Sequence, residues 1–445
     1  MWIRSVMFVV QPVFQRLLPD PYTKNGNVRV DAKSAHVSRV TITEIISPAH
    51  CNVKGYAFAG TILGWIDVAA GIAAKRHAVC PSVTRSVDAV AFLHPIKVGD
   101  IVTIQASVNK SWKTSMEVGV KVEVESPLSH DRFFVAHAYL TFVALSPRPS
   151  AKTHLGRVLS DFQPIRVPEL LPLTPMEIKR FEMAEKRRQA RFSAQTPDFH
   201  QIRKLMQLWS QGLRERSDMD APIRAYPGLN TKSGYSSSSE DGDEDIDDSD
   251  PEYIPKRLTR RFSQDPKMLQ QMREVLMDTT FAEVVELVMP QHANTLGITF
   301  GGQIMAWMET CALTSANRLV KSYLLTASVD SLNFIASSGI GDVVTVHSIV
   351  SRTFNSSMEV YVSVEAENLL TGATKFTNDG FFTITAVDND TIPVKIPKVM
   401  PQTEVGVELY EGGLERRKYR LGQRRELVNL VNASRSGGDS GTANS

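Results

Sequence analysis

The chain has 445 residues, a formal net charge of +2 at pH 7 and three cysteines. This length exceeds what one hydrophobic core usually supports, so we expect two domains joined by a linker. The small net charge excludes nucleic-acid binding by bulk electrostatics. Because the three cysteines form no CxxC pair and no metal-ligand spacing, we expect a reducing compartment, no structural disulfide and no metal site.

The N-terminal stretch of residues 1–18 has two arginines and no acidic residue. This composition is compatible with a mitochondrial presequence, although Pro12 interrupts any helix there and serine is scarce. Because we expect a reducing compartment, we predict a cytoplasmic location. The composition of the N-terminal stretch leaves a mitochondrial location as the alternative.

The central part of the chain contains an internal repeat at a constant offset of 242 residues. The repeated positions include two loop residues, two glycines, a tryptophan and the tripeptide SVD: His50, Asn52, Gly55, Gly60, Trp65 and residues 86–88 recur as His292, Asn294, Gly297, Gly302, Trp307 and residues 328–330. One fold unit is therefore present in two copies, and function is free to have specialised where the copies differ.

Each copy is predicted to begin with a short strand, at residues 40–46 and 282–289, where β-branched and apolar residues dominate. A helix follows at residues 60–77 and 302–321, because these stretches are too long and too rich in alanine and methionine for strands. Both helices are apolar on nearly every face, so protein must wrap them on most sides.

Three strands are predicted after each helix. They lie at residues 102–108, 116–125 and 133–144, and again at 343–350, 358–366 and 375–385. Alternating valines at 118–124 predict one face packed on the helix and one face toward solvent or a partner. The fold class is therefore α+β: tandem hotdog domains, each a long buried helix wrapped by an antiparallel sheet. We expect the two sheets to pair side by side into one continuous sheet, with the site at the seam between the copies.

The repeat also sets the expected domain boundaries. They are an N-terminal extension (1–35), a first hotdog domain (36–147), a helical and disordered linker with an acidic run (148–273), a second hotdog domain (274–388) and a C-terminal tail (389–445). Residues 174–192 in the linker predict a charged helix. Residues 233–252, rich in serine and acids, predict disorder. Ser263 follows two arginines as in a basic-directed kinase site, and we interpret that match as incidental, with phosphorylation as the alternative.

One acidic residue lies inside each apolar helix, Asp67 in the first and Glu309 at the same register in the second. A charge in the middle of an apolar segment argues against a membrane span. Burial raises a carboxyl pKa unless hydrogen-bond donors hold the charged form. Two such residues at one repeat position indicate a site, with a carboxylate satisfied by backbone amides as the structural alternative.

The loop before each helix contributes the second feature. Asn52 and Asn294 each lie eight residues ahead of a glycine at a helix start. Gly60, Gly301 and Gly302 leave backbone N–H groups uncovered there, which suits them to bind an oxyanion or a thioester carbonyl.

Other nucleophiles and bases are less persuasive. His50 and His292 are more typical of structural residues that bond the loop backbone than of catalytic bases. Cys311 lies in an apolar helix without an activating partner, so we expect it in the core. A serine esterase is not expected, because no serine or cysteine occupies a nucleophile elbow.

The string HANTLGITFGGQIMAWMET, residues 292–310, closely resembles the second hotdog of the double-hotdog acyl-CoA thioesterases. The likeness is strongest to the subgroup of the cytosolic acetyl-CoA hydrolase and the brown-fat-inducible thioesterase. GTILGWIDVAAGIAAKRH, residues 60–77, resembles that subgroup's first hotdog, and SVD and SMEV match in both halves. The resemblance covers about 220 residues. It implies hydrolysis of acyl-CoA to free acid and CoA without a cofactor.

By resemblance, the productive site pairs Asp67 with Asn294. This chain departs from the subgroup in having Asn52, so a second site of Asn52 with Glu309 is conceivable. Because glutamate is one methylene longer, we expect one full site and one impaired site. The subgroup's C-terminal lipid-binding domain of the steroidogenic-regulatory type has no room in the roughly sixty residues after Ala386.

The expected mechanism has Asp67 as general base on a water held partly by Asn294, with the amides near Gly301 and Gly302 stabilising the oxyanion. Direct attack by Asp67 through an anhydride is the alternative. Two other functions stay open: a hotdog enoyl-CoA hydratase, which needs His50 or His292, and a non-catalytic acyl-CoA or nucleotide sensor. The resemblance further implies trimers of the double-hotdog chain and regulation by adenine nucleotides. Acyl length cannot be inferred from the sequence.

Overall fold

The computed structural model describes residues 32–129, 131–147, 153–154, 157–158, 162–193, 198–217 and 274–436. The N-terminal residues 1–18, the acidic run at 233–252 and Ser263 lie outside these ranges. The predictions made for them therefore stay predictions.

Five α-helices occur in the described ranges: α1 (Ala59–Ala78), α2 (Pro175–Ser193), α3 (His200–Ser217), α4 (Gly301–Leu319) and α5 (Glu404–Ser436). Four short 3-10 helices lie at Ala35–Ser38, Pro48–His50, Met277–Thr280 and Pro290–His292. The two repeat helices and the linker helix appear within two residues of their predicted bounds. The α5 helix occupies most of the segment that we expected to be a tail.

The first copy contributes the strands β1 (Val40–Ile45), β2 (Ser82–Val87), β3 (Val90–Ala91), β4 (Ile101–Ser111), β5 (Ser115–Ser126), β6 (Asp131–Pro147) and β7 (Phe162–Pro164). The second contributes β8 (Ala282–Leu287), β9 (Tyr323–Val329), β10 (Leu332–Asn333), β11 (Asp342–Thr353), β12 (Ser357–Asn368) and β13 (Ala373–Val387). Further two-residue strands lie at Lys33–Ser34, Thr153–His154, Arg157–Val158, Leu170–Leu171, Val275–Leu276 and Val399–Met400. The predicted strands are all present, most of them longer than expected.

These strands form two antiparallel sheets, and the expected single continuous sheet is wrong. The first has the order β10-β2-β6-β5-β4-β1, with β7 beside β6, and the second has the order β8-β11-β12-β13-β9-β3. Each sheet thus receives one two-residue strand from the other copy. A bulge between Thr84 and Ser86, and one between Thr326 and Ser328, interrupt the register of β2 and β9. The strands from the other copy pair with residues 86–87 and 328–329, and the Arg85 and Ala327 carbonyl oxygens just before them also accept from the other copy.

The two long helices pack against each other as well as on their own sheets. A Cβ atom placed on Gly302 would lie 2.7 Å from Gly64 Cα, and one on Gly60 would lie 2.7 Å from Ala306 Cα. Only glycine permits backbones to approach so closely. The copies of the repeat therefore meet where both helices begin.

The outer faces of the sheets are covered by helices of the same chain, which corrects the expectation that this face is solvated or faces a partner. Helix α2 binds the first sheet through Arg187, which pairs with the buried Glu117 at 2.5 Å. Helix α3 covers part of the second sheet, where Phe199 packs on Tyr361. Buried outward-facing carboxylates such as Glu117 require cationic partners, and the helices supply them.

Helices α2 and α5 extend the internal repeat at a second offset. Arg187 and Arg191 of α2 bind Glu117, and Arg416 and Arg420 of α5 bind Glu359. The two acids differ by 242 in residue number and the paired arginines by 229. Each hotdog therefore has its own covering helix, held by two arginines one turn apart.

Loss of one such arginine is expected to destabilise the second hotdog. Arg416 donates to Glu359 from Nε at 3.0 Å and from Nη2 at 2.7 Å, and Glu359 is fully buried. Burial raises the pKa of Glu359, but the arginines beside it outweigh burial and hold that pKa below its usual value. Breaking a buried ion pair costs about 3 kcal/mol, so Arg416→Met should lower the free energy of unfolding by about that amount in urea titrations.

The exposed ion pair of Lys418 with Glu415 on the same helix provides the control. Lys418→Met should change the free energy of unfolding by less than about 0.5 kcal/mol, because exposed pairs contribute little. Equal losses in the two variants would contradict the role assigned to Arg416.

Candidate active site

Asp67 on α1 and Glu309 on α4 lie at the crossing of the two helices, and each is only 3% exposed. Each carboxylate accepts a hydrogen bond from the N-terminal backbone of the other helix. Helix N-termini carry unpaired N–H groups and a partial positive charge, which stabilise a carboxylate. The two acids are therefore held reciprocally, and neither site is complete within one copy.

Asp67 is held by two donors. Its Oδ1 accepts from Thr84 Oγ1 at 2.6 Å and its Oδ2 from the Gly302 amide at 2.9 Å. The neighbouring Gly301 amide donates to no other described residue. One backbone donor at the start of α4 is thus left for a ligand.

Burial raises the pKa of Asp67 above its usual value. The hydrogen bonds from Thr84 and Gly302 and the nearby charge of Lys75 lower that pKa, but they do not cancel the effect of burial. A carboxylate with a raised pKa is a stronger base near neutral pH than an ordinary aspartate.

Glu309 has a different environment. Its Oε1 accepts from the Ala59 amide at 3.0 Å and from Thr326 Oγ1 at 2.5 Å, and its Oε2 accepts from the Gly60 amide at 2.6 Å. The extra methylene lets this carboxylate occupy both N-terminal amides of α1. Gly60, which we predicted as an oxyanion donor, is therefore already bound by Glu309.

A cavity of about 760 Å³ joins the predicted residues Asp67, Asn294 and Gly301. Asn294 Oδ1 accepts from the backbone of Leu296 at 2.9 Å and of Ile298 at 3.3 Å, which fixes the loop. Its Nδ2 donates to none of the described residues, so this amide group is available as a donor to a ligand. Gly302 was predicted to bind an oxyanion, but its amide donates to Asp67 instead.

Asn52 closes the equivalent loop in the first copy, where its Oδ1 accepts from the Lys54 amide at 3.0 Å and from the Tyr56 amide at 3.2 Å. Both asparagines thus have a structural role in their loops. Only Asn294 lines the cavity that contains Asp67.

The two repeat histidines have structural contacts. His50 Nδ1 accepts from the Ser47 amide and His292 Nδ1 from the Met289 amide, both at 3.2 Å. Each ring packs edge-on against a helix tryptophan, Trp65 or Trp307. Neither histidine lines the cavity, so the enoyl-CoA hydratase alternative loses the base it needs.

Sequence reasoning missed Thr84 and Thr326, the hydroxyl donors to Asp67 and Glu309. Their signal was available, because both are repeated at the offset of 242 and lie 17 residues after their acids. Cys311 is fully buried, as expected for a core residue, and burial raises the pKa of its thiol to about 12.

Comparison with known sequences gives an independent result. The sequence pattern described as the thioesterase superfamily matches residues 54–129 and again residues 296–373. An uncharacterised acyl-CoA thioester hydrolase of Bacillus subtilis is 35% identical over 146 residues, which cover 33% of this chain and 85% of the relative.

This chain belongs to the thioesterase superfamily.

Two longer relatives cover most of the chain. Acyl-coenzyme A thioesterase 11 of Mus musculus is 31% identical over 397 residues, covering 89% of this chain and 55% of the relative. Cytosolic acyl coenzyme A thioester hydrolase of Mus musculus is 26% identical over 382 residues, covering 84% of this chain and 81% of the relative. This thioesterase-superfamily chain therefore spans little more than half the length of the first of them.

The family and the fold agree with the resemblance. The superfamily pattern occurs twice, at the repeat offset, and the structure contains two α+β hotdog units, each with a long helix and an antiparallel sheet. In the part of the chain that is described, no helix is long and apolar enough to cross a membrane.

Proposed function

We propose that this thioesterase-superfamily chain hydrolyses acyl-CoA to free acid and CoA, at one site built by both copies. The observation that supports this most is the cavity in which a buried carboxylate, Asp67, meets two available donors, the Gly301 amide and Asn294 Nδ2. A base and oxyanion donors in one cavity are the groups that acyl transfer to water requires.

In the proposed mechanism a water oxygen attacks the thioester carbonyl carbon and Asp67 takes a proton from that water. The Gly301 amide and Asn294 donate to the oxygen that becomes negative in the tetrahedral intermediate. When the C–S bond breaks, the sulfur leaves with the bonding electron pair and takes the proton from Asp67. The products are the free acid and the CoA thiol, and Asp67 returns to its carboxylate form.

The site asymmetry supports one productive site per chain. Glu309 accepts from the Ala59 amide, which is the counterpart of the Gly301 amide, so the donor that is available at the start of α4 is occupied at the start of α1. We therefore propose that Asp67 with Asn294 turns over substrate and that Asn52 with Glu309 does not.

Release of CoA thiol from a panel running from acetyl-CoA to palmitoyl-CoA tests this function. The purified chain should release CoA from at least one ester, and Asp67→Asn should lose that activity. Tight acyl-CoA binding without thiol release from any ester would overturn hydrolysis and favour the non-catalytic sensor.

Thr84→Val is expected to leave the Asp67 carboxylate less well oriented and to move the pH dependence of hydrolysis. Asp67 must be ionised to accept a proton, so activity is lost as pH falls through its raised pKa. Removing the Thr84 hydroxyl removes a bond that lowers this pKa, so the acid limb of kcat/KM should move to higher pH. The plateau rate should fall about tenfold, because the carboxylate loses one of the two donors that orient it.

Thr326→Val is the matched control, because Thr326 makes the same contact with Glu309. Its pH profile for kcat/KM should coincide with that of the unmodified protein. If both threonine variants move the acid limb equally, the two acids contribute equally and the one-site proposal fails.

The cellular location and the oligomeric state of the protein are also proposals. The name of the mouse cytosolic relative supports a cytoplasmic location, with a mitochondrial one as the alternative. Trimers of the double-hotdog chain and regulation by adenine nucleotides follow from the family resemblance alone. Analytical ultracentrifugation measures whether the chain forms trimers. The same experiment with ATP or ADP measures whether adenine nucleotides change the assembly.

A further inference from the structure

The cavity at Asp67 continues along one side of α1. Val68, Gly71, Ile72 and Lys75 line it, at the spacing of residues that share a helix face. From Asp67 to Lys75 the helix rises by about 12 Å. The opposite wall is mostly aliphatic and aromatic, and it includes Phe142, Val143, Leu145 and Phe162. The cavity therefore forms a channel with a largely apolar stretch beside α1, with Asp67 at one position and Lys75 two turns away. Arg85 also lines the cavity, but its guanidinium donates to the Phe334 carbonyl oxygen.

The channel depends on a difference between the two copies. Gly71 corresponds to Leu313 in the second copy, and Lys75 corresponds to Asn317. A Cβ on Gly71 would lie 3.7 Å from the ring of Phe142, so a larger side chain would fill the space between α1 and that ring. Only the helix with the proposed catalytic acid has both the small residue and the cation.

Lys75 is half-buried and forms no hydrogen bond or ion pair with a described residue. Lys75 lines the cavity, and its charge lowers the pKa of Asp67. Burial in turn lowers the pKa of Lys75. A partly desolvated ammonium without a partner is costly, and an anionic ligand group in the channel would compensate for it.

Building on the proposed thioesterase activity, we propose that Lys75 binds a carboxylate at the far end of the acyl chain. The preferred substrates are then medium-length ω-carboxyacyl-CoA esters. The apolar stretch between Asp67 and Lys75 suits a polymethylene chain, with the thioester at Asp67 and the distal carboxylate at the lysine. The phosphates of CoA lie on the other side of the thioester and are left outside the channel.

Suberyl-CoA and octanoyl-CoA test this assignment, because they have equal chain lengths and differ in the distal carboxylate. The unmodified protein should have the higher kcat/KM for suberyl-CoA. Lys75→Met should lower that value about tenfold, which corresponds to loss of about 1.4 kcal/mol of binding in the transition state. Octanoyl-CoA should change less than about twofold, and Lys75→Arg should retain the preference because it retains the charge.

Gly71→Leu, which copies the second helix, tests the channel itself. It should abolish the hydrolysis of octanoyl-CoA and suberyl-CoA while acetyl-CoA is still hydrolysed. Gly64→Leu is the matched control on the same helix, since a Cβ on Gly64 meets no atom within 4 Å. It should leave the order of chain-length preference unchanged.

The outcomes separate this inference from the proposed function. Octanoyl-CoA hydrolysis without any preference for suberyl-CoA would overturn the role of Lys75 and leave the thioesterase standing. Equal losses for both esters in Lys75→Met, with weaker inhibition by free CoA, would assign the lysine to a CoA phosphate and also overturn it. Absence of hydrolysis with every ester would overturn the proposed function itself.

Discussion

Asp67→Asn is expected to lower kcat by about a thousandfold, within the range typical for loss of a general base. The amide of asparagine cannot accept the proton of the attacking water. Its shape is otherwise matched to the site: Oδ1 can accept from the Gly302 amide while Nδ2 donates to Thr84 Oγ1, whose hydroxyl is free to rotate. Kinetics of CoA release measure the loss, and near-normal turnover would reject Asp67 as the base.

The same variant should be more stable than the unmodified protein at pH 7.5. The folded-state pKa of Asp67 is raised, so the folded state binds a proton more tightly than the unfolded chain. Stability is therefore lost as pH rises from the unfolded aspartate pKa of about 3.9 through the raised folded value. Asparagine does not ionise and avoids this loss. The difference in Tm between variant and unmodified protein should increase with pH, and a lower Tm for Asp67→Asn at pH 7.5 would contradict this.

Glu309→Gln is expected to give the reverse result: turnover within about threefold of the unmodified protein, and lower stability. Glu309 accepts from the two backbone amides of Ala59 and Gly60 in addition to Thr326. Neither backbone amide can turn away. Whichever way the glutamine amide is placed, its NH₂ group faces one of these N–H donors.

Burial raises the pKa of Glu309 as it does that of Asp67, so removing the charge stabilises the folded state here too. A buried donor left without an acceptor costs about 1–3 kcal/mol, and we expect this loss to outweigh that gain, so the Tm of Glu309→Gln should fall. Differential scanning calorimetry and CoA release on the same preparations of both acid variants make the comparison. The proposed asymmetry fails if Glu309→Gln loses turnover as severely as Asp67→Asn does.

Much of the fold followed from the sequence because it is repeated. The offset of 242 aligned the two apolar helices and the strands after them, and family resemblance paired Asp67 with Asn294. The structure places both in one cavity with Gly301. The N-terminal cap and the charged run that follows it also located α2, because both are local features of the chain.

The remaining features depend on contacts between distant segments. Helix α5 was not predicted, because its match to α2 has an offset of 229 residues and the rest of the repeat has an offset of 242. The extra methylene of Glu309 predicted an impaired second site, but its hydrogen bonds with the Ala59 and Gly60 amides were not predictable, because those donors belong to a distant helix. The separation into two sheets was not predictable either, because the strands exchanged between the copies, β3 and β10, are only two residues long.

The reciprocal construction of the site also affects how the protein is made. The Gly302 amide that holds Asp67 is 235 residues further along the chain. At about 5–20 residues per second the ribosome needs roughly 10–50 s to synthesise that interval. Throughout this time Asp67 is held by Thr84 alone, and β2 has an unpaired edge. A neighbouring nascent chain on the same polysome has the same exposed edge and offers the same contacts. Folding must therefore favour pairing of the two copies within one chain over pairing between neighbouring chains.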